Sequence, residues 1–235
     1  MTKKEWLIGF KKIIHVMLSY IPLGLACGIA LHKVGYSPLS VIIMSFLVFA
    51  GAGQFMIAQL TAVGASPISI IATIFFLNIR HLLMSSGLIQ YLKGKSSGFY
   101  LIYAQTIVDE TFGTNIIQFT TNPKWTPNKA LAANIWAHLS WIISSFCGSL
   151  IGQKVDVPLT VVNYVLVAMF IAMLVEQLLS KVHLIAALSA AILAILLKII
   201  IRNNISIVIA AVVASTIGLI LSSKIGELDN TQKNK

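Results

Sequence analysis

The chain has 235 residues, of which 57% are hydrophobic and only 10% are charged, and its mean hydropathy is +0.90. Soluble globular domains usually carry about 25% charged residues, so this composition argues against a soluble protein. The formal net charge of +10 does not indicate nucleic-acid binding, because the 17 Lys and Arg residues are scattered between apolar blocks and do not gather on one face.

Eight apolar blocks predict membrane-spanning helices. A helix needs about 20 residues to cross a hydrocarbon layer about 30 Å thick. In chain order, the predicted spans are 13–31, 39–62, 67–90, 99–119, 129–151, 158–178, 183–200 and 204–222. Seven is the alternative count, because only the short polar segment 201–204 separates the last two blocks. The sequence therefore predicts an all-α, polytopic helical membrane protein in which residues 1–235 form one integral-membrane domain with short tails.

The basic residues predict the orientation in the membrane. The positive-inside rule places loops rich in Lys and Arg in the cytoplasm. Ten basic residues fall in tails and loops on the side of the N-terminus and six on the other side, while Arg80 lies inside a predicted span. Both termini are therefore predicted to be cytoplasmic.

Glycine and proline mark two predicted spans in which the helix could be interrupted. In the first span, Pro22 removes a backbone donor, and Gly24 and Gly28 leave one face without side chains. In the second, segment 50–54 (AGAGQ) lies at mid-membrane depth. Unwound backbone is tolerated there where it lines a cavity, which would indicate a solute site. The alternative is close helix packing, which glycines four residues apart also favour.

The third predicted span contains polar residues at a depth where they are costly. An ionisable side chain near the bilayer centre costs at least about 2.5 to 3.5 kcal/mol on insertion scales. Asn78 and His81 share a helix face, and Arg80 points about 100° away from His81. The planar guanidinium of Arg80 is suited to binding a carboxylate. The alternative is a structural Arg80 at a helix end, with its side chain reaching the lipid headgroups.

The fourth predicted span contains two adjacent carboxylates. On one continuous helix, a single stripe would collect Thr106, Asp109, Glu110, Gly113 and Thr114. Two carboxylates in an apolar segment repel each other, and burial favours the neutral form, so one of them is expected to bind a proton. The alternative is that one carboxylate neutralises Arg80 structurally and the other lies near the interface.

Later predicted spans carry weaker candidates. Asn134 and His138 belong to a stripe of polar and small residues, which is more often used for helix packing. Glu176 lies near Lys181, which favours a surface ion pair. Motifs typical of zinc proteases, phosphate-binding loops and serine hydrolases are absent from the sequence. We therefore expect no enzyme activity, no cofactor and no metal site.

Four segments carry a further pattern. Residues 20–28, 45–55, 77–83 and 108–112 read YIPLGLACG, SFLVFAGAGQF, LNIRHLL and VDETF. In this order and spacing, they resemble the AzlC family, the large subunits of bacterial branched-chain amino acid exporters. The C-terminal half is similar to the family in hydropathy only.

This resemblance implies a function and a partner. It implies export of leucine, isoleucine or valine, and in some members methionine or toxic analogues, driven by a proton gradient. It implies a small hydrophobic AzlD-type membrane subunit as the partner. The chain would then be half of a functional unit, and its location the bacterial cytoplasmic (inner) membrane as a multi-pass protein.

These expectations combine into one hypothesis about the site. A zwitterionic amino acid needs a donor for its carboxylate, an acceptor for its ammonium group and an apolar pocket. The expected substrate-binding residues are Gly51, Gly53, Gln54, Asn78 and Arg80. The proton-coupling candidates are Asp109 and Glu110, and the candidate polar lining is His81, Thr106, Asn134 and His138.

Two alternative functions remain open from the sequence. One is a transporter or channel for another small solute, and the other is a non-transporting membrane enzyme or assembly subunit. The sequence also leaves open whether Arg80 and Asp109 are neighbours.

Overall fold

Helix starts in the first part of the chain follow local sequence signals. Side-chain oxygens of the residues before five helices accept a hydrogen bond from the first turn; these residues are Thr2, Ser37, Ser66, Ser96 and Thr126. The helices are α1 (Lys3–Lys33), α2 (Pro38–Leu47), α3 (Gly51–Ala62), α4 (Pro67–Leu88), α5 (Ser97–Gln105), α6 (Asp109–Thr121), α7 (Pro127–Gly152) and α8 (Lys181–Ile201). A short 3-10 turn, Ile89–Tyr91, extends α4.

The computed structural model describes residues 1–155, 181–201 and 212–221, together with single positions 158, 160, 164, 167, 168, 171, 174, 175, 178, 209 and 210. These residues form helices and no strands, which confirms the all-α prediction. They belong to two compact units, Met1–Ala168 and Met169–Lys235. Most of the predicted span 158–178, including Glu176, lies outside the described residues.

Four of the described helices are long and apolar enough to cross a membrane: Lys3–Lys33, Pro67–Tyr91, Pro127–Gly152 and Val182–Ile200. The predicted spans 39–62 and 99–119 are each divided into two short helices, α2 with α3 and α5 with α6. The count of eight spans therefore stays a prediction.

Helices α1 and α7 form the main packing pair and run parallel. Gly9 near the start of α1 lies against Ala132 and Ala133, and Gly28 near its end lies against Gly148. Parallel packing requires an odd number of crossings between the two helices. The intervening elements, α2 with α3, α4, and α5 with α6, are consistent with three.

The first predicted span is not interrupted. Helix α1 continues from Lys3 to Lys33 with Pro22 inside it. A Cβ atom added to Gly24 would lie 2.7 Å from Ser144 Cβ, and one added to Gly28 would lie 2.5 Å from the Ser149 amide nitrogen. The prediction of a solute-lining break in α1 is therefore wrong, because its glycines provide close packing against α7.

Two other predicted spans are interrupted, and both breaks are buried. Break 1 is residues 48–50 between α2 and α3, where Phe49 has a positive φ of 31°. Break 2 is residues 106–108 between α5 and α6. Phe49, Ala50, Ile107 and Val108 are at most 5% exposed, so protein covers the non-helical backbone as a bilayer requires. The prediction that the second span is interrupted is confirmed, but the break lies at 48–50, and the predicted segment 51–54 is helical. The prediction of a continuous fourth span is wrong.

The second unit contains α8 and the apolar helix Val212–Leu221. A Cβ atom added to Gly218 would lie 3.2 Å from Ala186 Cβ, so the two helices approach closely at this point. All of the candidate site residues lie in the first unit.

Candidate functional site

Helix α6 begins with the two adjacent acidic residues, Asp109 and Glu110. Val108 before them is extended, with φ of −141°, and gives the helix no side-chain cap. Carboxylates are favoured at this position, because the first-turn N–H groups form the positive end of the helix dipole. The predicted single stripe with Thr106 is wrong, since break 2 separates Thr106 from α6.

Asp109 forms an ion pair with Arg80 of α4. Arg80 Nη1 lies 3.0 Å from Asp109 Oδ2, and the two side chains are 29% and 25% exposed. The two residues that the sequence could not place relative to each other are therefore neighbours. The ion pair fits the structural interpretation of one carboxylate neutralising Arg80, but it occupies only part of the guanidinium.

Glu110 has a different partner, Tyr20 of α1. The Tyr20 hydroxyl donates a hydrogen bond of 2.8 Å to Glu110 Oε2. Tyr20 is only 4% exposed, and its ring packs edge-to-face against Trp141 with centroids 5.2 Å apart. The adjacent carboxylates thus bind two chemically different groups, a guanidinium and a phenol.

The start of α3 lies between Trp141 and Asn78. A Cβ atom added to Gly51 would lie 2.8 Å from the Trp141 ring, and one added to Gly53 would lie 3.7 Å from Asn78 Oδ1. Ala50 gives α3 no side-chain cap. The glycines therefore let α3 begin close to both neighbours, with first-turn N–H groups that the preceding side chain does not cap.

One turn of α4 carries three buried polar atoms without hydrogen-bond partners among the described residues. They are Asn78 Oδ1, Arg80 Nε and His81 Nε2. Buried polar atoms are nearly always paired in native proteins, so three in one turn require an explanation. This turn approaches the first turn of α3, after break 1, through Asn78, and it contacts α6, after break 2, through Arg80. The arrangement provides polar groups for a small ligand.

Gln54 is fully buried and already has two partners. Its Oε1 accepts a hydrogen bond from Trp141 Nε1 at 2.5 Å, and its Nε2 donates to Ser45 Oγ at 2.8 Å. Ser45 Oγ in turn lies 2.8 Å from Ser145 Oγ. The amide therefore joins α2, α3 and α7, and this internal bonding differs from the expected role in substrate binding.

Sequence comparison places this site in a known family. The family model named AzlC protein matches residues 15–155, more than half of the chain. The chain belongs to the AzlC family. The matched region contains both breaks, the Arg80–Asp109 ion pair and the Tyr20–Glu110 hydrogen bond.

The chain is similar in sequence to several membrane proteins, one of which is named AzlC. The chain is 27% identical over 150 residues to the inner membrane protein YgaZ of Escherichia coli, which covers 62% of this chain and 60% of that protein. It is 27% identical over 165 residues to the branched-chain amino acid transport protein AzlC of Bacillus subtilis, and this match covers 68% of this chain and 63% of that protein. An uncharacterized membrane protein of Archaeoglobus fulgidus is 30% identical over 138 residues, covering 59% and 58%. The matches thus span about three-fifths of these relatives, and no solved structure matches.

The remaining predicted lining residues of this AzlC-family chain have other partners. His138 Nε2 lies 3.2 Å from the Ser45 carbonyl oxygen, and the His138 ring packs on Phe49 of break 1 with centroids 4.0 Å apart. The Thr106 hydroxyl donates to the Ile102 carbonyl at 2.7 Å. Asn134 Oδ1 accepts a hydrogen bond of 2.8 Å from Asn115. These contacts link His138 to break 1, assign Thr106 to a bond within its own turn and assign Asn134 to a bond between α6 and α7.

Two residues near the site, Tyr20 and Gln105, were not predicted from the sequence to contribute to it. Tyr20 is part of a family segment, but a tyrosine in a span gives no sign of a distant carboxylate. Gln105, at the end of α5, donates hydrogen bonds to the carbonyl oxygens of Phe46 at 3.3 Å and Leu47 at 2.6 Å. It therefore ties the end of α5 to the end of α2, where the carbonyls of the last turn lack helical partners.

Proposed function

We propose that the chain transports amino acids with branched apolar side chains, namely leucine, isoleucine and valine, with methionine as a further substrate. The observation that carries the proposal is the turn of α4 with three unpartnered buried polar atoms beside the two breaks. Membership of the AzlC family and the similarity to the branched-chain amino acid transport protein of Bacillus subtilis support the substrate class.

The substrate carboxylate would bind at Arg80 and the start of α3. Asp109 accepts from Nη1 of Arg80, while Nε has no partner among the described residues. A second carboxylate on the Nε edge of the guanidinium would gain two parallel hydrogen bonds. Asn78 Oδ1 lies beside Gly53 near the start of α3, whose uncapped first-turn N–H groups would be donors for a carboxylate that reaches them.

The acidic pair would serve the ammonium group and the coupling proton. Asp109 and Glu110 lie side by side at the start of α6, so one carboxylate can face the ammonium group while the other binds a proton. Selectivity among aliphatic side chains would be modest, since one methylene in an apolar pocket is worth about 1 to 3 kcal/mol. In this scheme, Gln54 and Trp141 support break 1 and do not contact the solute.

The direction and the partner are part of the same proposal. The chain would export its substrates from the cytoplasm in exchange for protons, with both termini cytoplasmic. It would act with a small hydrophobic AzlD-type membrane subunit. The excess of basic residues on the side of the N-terminus supports this orientation.

The test is the release of leucine, isoleucine, valine and methionine from cells loaded with dipeptides. The chain is expressed alone and together with the small membrane protein encoded beside it. Faster release with lower internal levels supports export, and dependence on the second protein supports the two-part unit. No change for any of the amino acids, with both proteins confirmed in the membrane, contradicts the proposal.

Variants of Arg80 test the site itself. Arg80→Lys keeps the charge but loses the planar fork, so release should fall strongly while the protein still inserts. Thr120→Ala is the matched control, because the exposed Thr120 hydroxyl bonds only to its own helix. Normal release by Arg80→Lys would show that bidentate carboxylate recognition is wrong.

A further inference from the structure

We infer that Glu110, and not Asp109, carries the coupling proton, and that Tyr20 is the positioning residue for this step. The inference rests on the proposed function and divides the roles of the two carboxylates. It follows from the different groups that face them, Arg80 for Asp109 and Tyr20 for Glu110.

Asp109 faces a group that can only donate. A guanidinium has no acceptor and stays charged at any physiological pH. A protonated Asp109 would lose its charge-assisted bond and would leave the Arg80 charge without its counterion. The ion pair, with its 3.0 Å distance, therefore makes Asp109 the less suitable carboxylate for proton transfer.

Glu110 faces a group that can both donate and accept. The Tyr20 hydroxyl donates to Glu110 Oε2 at 2.8 Å while the carboxylate is ionised. After Glu110 takes up a proton, the same hydroxyl can accept a hydrogen bond from the new carboxylic acid. Both protonation states of Glu110 are therefore satisfied without movement of the tyrosine ring, which Trp141 holds by edge-to-face packing.

Charged and titratable groups on the helices that contact α6 fit this division. Helix α4 contributes Arg80, which is engaged with Asp109, and His81, whose Nε2 has no partner among the described residues. Helix α1 contributes Tyr20. On α7, His138 is engaged at break 1 with Ser45, and Lys129 is bonded to the Lys124 carbonyl. Among the described residues, Tyr20 is thus the side chain that the structure gives Glu110 as a hydrogen-bond partner.

The experiment uses vesicles that contain the full chain and its small membrane partner. One assay follows exchange of labelled for unlabelled leucine without a pH gradient, and the second follows leucine accumulation driven by an imposed pH gradient. Exchange needs substrate binding and movement of the site, whereas accumulation also needs a transported proton. Wild-type protein without exchange would refute the proposed function itself.

Two neutralised variants separate the roles. Glu110→Gln should retain exchange at a rate that no longer varies with pH, and its gradient-driven accumulation should fall to the level without a gradient. Asp109→Asn should slow exchange by about tenfold or more, because Arg80 loses its counterion. Gradient-driven accumulation by Glu110→Gln would overturn the inference, as would the reversed pattern in which Asp109→Asn exchanges without coupling.

Tyr20→Phe keeps the inference testable if Glu110→Gln fails to insert or loses both activities. The substitution keeps the ring on Trp141 and removes only the hydroxyl, whose bond to the ionised carboxylate is stronger than its bond to the neutral acid. Glu110 should then hold its proton to higher pH, so the midpoint of the pH profile of driven transport should move upward by about one pH unit. A lower rate with an unmoved midpoint would indicate a structural hydroxyl and overturn the inference.

Discussion

The indole Nε1 of Trp141 donates a hydrogen bond of 2.5 Å to Oε1 of Gln54, and both side chains are buried. This bond joins α7 to the first turn of α3, directly after break 1. Gln54 also bonds to Ser45 at the other side of the break. The Gln54 amide therefore fixes the two halves of the interrupted span, α2 and α3, against α7.

Removal of the indole donor should destabilise the protein. Trp141→Phe leaves the buried Gln54 Oε1 without its partner, which costs about 1 to 3 kcal/mol. The measurement is the Tm of the purified protein in detergent. Trp136→Phe is the control, because Trp136 Nε1 bonds to the Trp6 carbonyl in a partly buried position, so its loss should lower Tm less. Equal decreases in Tm would contradict a special role for the bond to Gln54.

Glycine substitutions should separate packing glycines from glycines with open space around them. A Cβ atom on Gly28 would overlap the backbone of α7, so Gly28→Ala should lower Tm or prevent insertion. A Cβ atom on Gly113 of α6 would meet nothing within 4 Å. Gly113→Ala should therefore be neutral or stabilise the helix by about 0.5 to 1 kcal/mol. A stable Gly28→Ala protein with normal Tm would refute close packing of α1 on α7.

The Arg80–Asp109 ion pair should show energetic coupling. Arg80→Gln and Asp109→Asn each leave one partly buried charge without a partner, whereas the double variant removes both charges. The double variant should therefore lose less stability than the two single changes add up to, with a coupling of about 0.5 to 3 kcal/mol. Its transport should still be absent, because Arg80 is proposed to bind the substrate. Urea or thermal unfolding measures the coupling. As a control, the losses of stability caused by Arg80→Gln and Thr120→Ala should add up in the double variant.

Hydropathy was sufficient to predict the long helices but not their packing. Gly24 and Gly28 were compatible with either an unwound backbone or a packing face, and only the partner helix decides between them. An interruption of the second span was predicted correctly from two glycines of low helix propensity, but the break precedes them, and residues 51–54 belong to α3.

Break 2 was missed because it contains neither glycine nor proline. Its residues, Thr106, Ile107 and Val108, are β-branched and therefore weak helix formers, and two acidic residues follow, which is typical of a helix start. This signal was present but is weaker than glycine. The contacts of Arg80 with Asp109 and of Tyr20 with Glu110 join residues far apart in sequence, so the pattern of a single chain could not predict them.

Gln105 should couple the two breaks. Its amide donates to the Phe46 and Leu47 carbonyls at the end of α2, so Gln105→Ala leaves these carbonyls without that donor and should lower both Tm and the transport rate. Gln105→Glu should be worse, because a carboxylate would lie beside carbonyl oxygens at the negative end of a helix dipole. Gln90→Ala is the matched control, since the exposed Gln90 amide donates only to Gly87 in its own turn. Tm and transport rate should fall most in Gln105→Glu and less in Gln105→Ala, and they should stay near the wild-type values in Gln90→Ala. If Gln105→Glu transports as well as Gln105→Ala, the amide does not bond to these carbonyls during the transport cycle.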